Sequence, residues 1–152
     1  DAVMGDEPFA SRLLAKDSVF FLANLAEPET AKTIAGSNFL HAAIETRGNM
    51  IKTNPVAVEK MVRMLKRSLH WVETHSAEEI ADTIGVLDLE ERESLVMALK
   101  KYPRAYSRDG KLSTAQLKET ELFFHHGNQG DSSAQDLRLE EMVNDTWAGR
   151  KE

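Results

Sequence analysis

Four helix-start signals between residues 54 and 116 constrain this chain more than any other feature of its sequence. Asn54-Pro55 pairs a capping residue with a proline at the first helical position, where the missing N–H costs nothing. Ser76-Ala77-Glu78-Glu79 is a capping box, and Asp88-Leu89-Glu90-Glu91 repeats the pattern. Ser113-Thr114-Ala115-Gln116 does so once more. After the first signal, Val58, Met61, Val62, Leu65, Leu69 and Val72 recur at three- and four-residue spacing, with Lys60, Arg63, Lys66, Arg67 and Glu73 on the other face. That spacing predicts one long amphipathic helix ending near His75. The next helix should stop at Gly85, and the third, carrying Leu95, Val96 and Leu99, near Tyr102-Pro103. Asp109-Gly110 marks a turn. A fourth helix should carry Leu117, Leu122 and Phe123, with a polar loop following over 127–133. Leu137, Leu139, Met142 and Val143 suggest a last helix ending at Trp147-Ala148-Gly149.

The first 46 residues have a different texture. Asp1–Met4 and Ser18–Leu25 read as short strands, the latter because Val19-Phe20-Phe21-Leu22 is β-branched and aromatic. Pro8–Lys16 between them reads as a helix, Pro28–Ala35 as a second helix closed by Gly36, and Asn38–Thr46 as another strand. From about residue 47 the pattern is helical throughout. The expected fold class is therefore α+β, mostly α. No repeat and no low-complexity tract interrupts it.

Composition then narrows the function classes. The 19 Lys and Arg residues against 25 Asp and Glu give a net charge of −6, which argues against a nucleic-acid partner. With no cysteine, disulfides, thiolate metal sites and cysteine nucleophiles are excluded. No apolar run exceeds five residues, as in Val19–Ala23, far short of the ~20 that a membrane span needs. No glycine-rich phosphate loop, nucleophile elbow or His-Glu-x-x-His motif occurs. His70 and His75 are five apart and share no helix face, while the adjacent His125 and His126 point apart. The acidic pairs Glu78-Glu79, Glu90-Glu91 and Glu140-Glu141 fall in early helical turns, where they complement the helix dipole. Lys100, Lys101, Arg104, Arg108 and Lys111 form a basic cluster that reads as a solvated surface around a loop, or as a place for an anion or a partner to dock. No nucleophile–base pair can be named, so the expectation is a non-enzyme without cofactor or metal.

One segment is less easily explained as architecture. Gly5-Asp6-Glu7-Pro8-Phe9 joins an expected strand directly to an expected helix. Turns of this kind face the ligand crevice in α/β sheets. Its acidic residues either cap the helix or accept hydrogen bonds from a ligand amine or hydroxyl.

The same segment carries a resemblance. Asp1-Ala2-Val3-Met4-Gly5-Asp6-Glu7-Pro8 resembles the D-A-x-x-x-x-E-P stretch of solute-binding proteins of ABC importers, in the nitrate/sulfonate/taurine and thiamine-precursor-like group. Asn38–Thr46 resembles that family's strand returning from the second lobe, and Arg47–Pro55 its R-x-x-F-x-x-x-N-P approach to a long helix. Val58–His75, Asp109–Ser113 and Leu139–Asn144 follow in the family's order. The resemblance implies the C-terminal fragment of a two-lobe periplasmic-binding-protein (type II) fold. Residues 1–40 would end the second lobe, and 41–152 would supply the hinge return strand and the helical C-terminal part of the first. It further implies capture of a small anionic or zwitterionic solute, delivery to an ABC permease, and a periplasmic or extracytoplasmic location. The ligand-contact candidates it implies are Gly5, Asp6, Glu7, Pro8 and His41. The few strands leave several apolar helix faces uncovered, so self-association is also expected. The alternative reading is a small helical protein–protein interaction domain without a small ligand.

Overall fold

The structure, a computed structural model, describes residues 2–7, 9–14, 16, 19–34, 36, 39–127 and 136–151. Eight helices and two very short strands lie among them: α1 (Phe9–Leu14), α2 (Pro28–Ile34), α3 (Gly48–Thr53), α4 (Pro55–Thr74), α5 (Ala77–Ile84), α6 (Leu89–Lys101), β1 (Leu112–Ser113), α7 (Thr114–Gly127), α8 (Leu139–Met142) and β2 (Arg150–Lys151). The fold class is α+β, mostly α.

The start signals act as their chemistry requires. Asn54 Oδ1 accepts from the Ala57 amide at 3.2 Å and opens α4, the longest helix. At α5 the Ser76 hydroxyl accepts from the Glu79 amide at 3.2 Å, and the Glu79 carboxylate accepts from the Ser76 amide at 2.8 Å. Gly85 closes α5 with φ +77°, a left-handed conformation that favours glycine. Asp88 caps α6 through the Glu91 amide at 2.8 Å, and Ser113 and Gln116 form the reciprocal pair that starts α7. At the Asp109-Gly110 turn, the Asp109 carboxylate accepts from the Lys111 amide at 3.0 Å.

The chain divides into two compact units, each made of separated segments. The first contains residues 1–23 and 69–108, the second residues 24–68 and 109–152. Helix α4 therefore begins in the second and ends in the first. In the first unit α5 packs on α6, burying Ile80, Ala81, Ser94 and Ala98. Helix α1 lies against α6 with Arg12 beside Glu90 and Glu91, at 3.7 and 3.9 Å. In the second unit α7 is central. Leu117 is 2% exposed, Thr120 is buried, and α7 packs on α8 and β1. Strands β1 and β2 run parallel, pairing Leu112 with Arg150 and Ser113 with Lys151. Arg150 holds that closure by donating to Asp145 at 2.6 Å and to Glu140 at 2.9 Å.

Two sequence expectations need correction. Residues 2–4, 19–25 and 39–46 form no strand among the described residues, and the only strands described lie at 112–113 and 150–151. A strand exists only when a second one satisfies its backbone, and these segments find none among the described residues. The last helix ends at Met142 rather than near Gly149, because Val143 takes an extended conformation. Gly48–Thr53 lies in the stretch expected to be helical and forms a helix of its own, ended where Asn54 leaves helical geometry. Asp1, Pro8, Ala15, Asp17, Ser18, Ala35, Ser37, Asn38 and most of the 127–133 loop lie outside the described residues. None of the described helices is long and apolar enough to cross a membrane.

Candidate functional site

The acidic turn is built as a helix start. The Ala10 amide donates to the Asp6 carbonyl at 3.0 Å, and the Ser11 amide to the half-buried Glu7 carboxylate at 3.1 Å. One Glu7 oxygen is thus engaged by the first turn of α1. Gly5 permits a close approach, since a Cβ there would stand 2.5 Å from the Phe9 ring. Asp6 is exposed, and Pro8 lies outside the described residues.

His41 sits in the second unit, whereas Gly5, Asp6 and Glu7 belong to the first. Its exposed ring lies 4.8 Å from Phe39, which stacks on Phe123 at 4.7 Å with the planes 8° apart. The strip is anchored by the Leu40 amide, which donates to Thr120 Oγ1 at 2.8 Å, and that hydroxyl donates to the Gln116 carbonyl. His41 therefore caps a small aromatic stack on α7.

A cleft in the first unit went unnoticed in the sequence. It has a volume of about 210 Å³ and lies between the end of α4, the α5–α6 pair and the segment after α6. Leu69, Val72, Ile80 and Leu99 give it apolar walls, Tyr102 and Tyr106 give it aromatic ones, and Glu73 and Arg108 stand at it 3.2 Å apart. His75 also lines it, with its ring stacked on Trp71 at 4.1 Å and Nδ1 2.7 Å from the Trp71 carbonyl. A carbonyl oxygen only accepts, so Nδ1 is the donor in that contact. Glu73 and Arg108 are 35 residues apart, so no local pattern announces their pairing.

The basic cluster is largely engaged. Lys100 pairs with Glu78, Lys101 lies over the Phe21 ring at 5.5 Å and the Tyr102 ring at 5.2 Å, and Arg108 meets Glu73. The Lys100 ammonium holds the Glu78 carboxyl below its ordinary pKa, and hydrogen bonds from Ser76 do the same for Glu79. Asp145 is lowered, and Arg150 raised, chiefly by their mutual hydrogen bond. Among the described residues no group of three His, Asp or Glu side chains is placed to hold a metal ion.

Comparison with protein-family models, with curated proteins and with solved structures gave no significant match to this chain.

Proposed function

We propose that this chain is the C-terminal part of the substrate-binding component of an ABC-type importer for a small anionic or zwitterionic solute, working outside the cytoplasm. One observation supports this reading over a self-contained helical interaction domain. In Val19-Phe20-Phe21-Leu22 the exposures are 40, 81, 42 and 78%, alternating with the period of a strand, yet both faces are apolar. A solvated strand carries polar residues on its outer face. An apolar sequence on both faces is the pattern of a strand covered on both sides in an α/β sheet. Val3 and Met4 are likewise exposed and apolar. In the two-lobe arrangement such segments become sheet strands completed by further chain. The acidic turn would then lie at the carboxyl end of a strand, where ligands of α/β proteins bind. Solute binding would shift an open–closed equilibrium between the lobes, and the permease would read the closed form. Catalysis has no part in it.

The test uses the longest natural product of the gene that encodes this chain. Amide exchange at Phe20–Ala23 should be slow there and fast in the 152-residue chain. Nitrate, taurine or an alkanesulfonate should raise the longer product's melting temperature. Equal, fast exchange in both, with no thermal shift from any of the three, would favour the interaction domain.

A further inference from the structure

We propose that the cleft of the first unit binds a free α-amino acid with an apolar side chain. This site is separate from the acidic turn and does not depend on the transporter reading. The cleft volume of about 210 Å³ is room enough for a small organic molecule. Leu69, Val72, Ile80 and Leu99 offer an aliphatic body apolar contact, and Tyr102 adds a ring wall. The charged groups at the same cleft have opposite signs, a carboxylate and a guanidinium 3.2 Å apart. A ligand bearing one charge would satisfy one of them and be repelled by the other. A zwitterion satisfies both, its carboxylate on Arg108 and its ammonium on Glu73.

The existing pair is poised for that exchange. The contact runs only from Arg108 Nε to one Glu73 oxygen, and the two side chains are 69% and 37% exposed. An ion pair so open to water contributes little to stability and gives way readily. Among the described residues the two terminal guanidinium nitrogens of Arg108 have no partner, which leaves a planar fork for a ligand carboxylate.

Trp71 does not line the cleft but stacks on His75, which does, and so supplies the readout. In the 152-residue chain carrying Trp147→Phe, Trp71 is the sole tryptophan. L-Leucine should change its emission saturably, with a dissociation constant of about 1 mM or lower. Glycine, isopentylamine and 4-methylpentanoate lack the side chain, the carboxylate and the ammonium respectively, and each should bind at least about tenfold more weakly. Arg108→Gln should weaken leucine by a similar factor while leaving the circular-dichroism melting curve unchanged. No saturable change up to about 50 mM leucine would overturn the proposal. Equal binding of any of the three analogues, or undiminished binding by a folded Arg108→Gln chain, would overturn it as well.

Discussion

Ser76 and Glu79 satisfy each other's backbone amides, so losing the Ser76 hydroxyl leaves a helix N–H without its acceptor. Ser76→Ala should cost about 1 kcal/mol in urea unfolding. Leu117→Ala should cost more, about 2–5 kcal/mol, because Leu117 is 2% exposed and its truncation opens a cavity under α7. Acid dependence follows from the Ser76–Glu79 cap and from the neighbouring Lys100–Glu78 pair. Glu78 and Glu79 have folded pKa values below their ordinary 4.5, so the folded state binds their protons less readily than the unfolded one. Their contribution is present above pH 4.5 and is lost as the pH falls through the lowered values. Glu79→Gln should therefore flatten the acid limb of the stability–pH curve below pH 4.5, read by urea unfolding at each pH. These residues were legible in the sequence because capping is a local bargain between neighbours. The cleft was not legible, since Glu73 and Arg108 meet only after α5 and α6 have packed.

At the scale of elements, helices and strands were unequally readable for a physical reason. A helix closes its hydrogen bonds within itself, so the caps and apolar spacing of α4 to α7 suffice to mark it. A strand is defined by a neighbour, and Val19–Leu22 has the composition of one without a pairing partner among the described residues. The pair that does form, Leu112–Ser113 with Arg150–Lys151, is two residues long and carries no periodic signal. It is held instead by Arg150 and its two carboxylate partners, Asp145 and Glu140. Gly85 ends α5 at φ +77°, and nothing lies within 4 Å of an added Cβ, so Gly85→Ala meets conformational strain and no clash. That substitution should cost about 1–2 kcal/mol, measured as a lower urea midpoint with unchanged slope.

For the whole chain, the balance of covered and uncovered apolar surface is the dominant fact. Five apolar residues are buried among those described, while twenty-three large ones are exposed, which is a thin core for the surface it must stabilise. Each large apolar side chain moved out of water gains about 1.5–3 kcal/mol, so covering even a few is worth as much as a small domain's whole stability. On the proposed reading, surfaces such as Phe20 and Leu22 would be covered in the assembled lobes, and a second copy would cover them when this chain stands alone. Light scattering at micromolar concentration tests that claim most directly, on the chain and on its Phe20→Asp, Leu22→Asp variant. Species larger than 17.0 kDa are expected for the chain, and a shift towards 17.0 kDa for the variant. A single 17.0 kDa species for the unaltered chain, with no binding of a dye that reports exposed apolar surface, would contradict it.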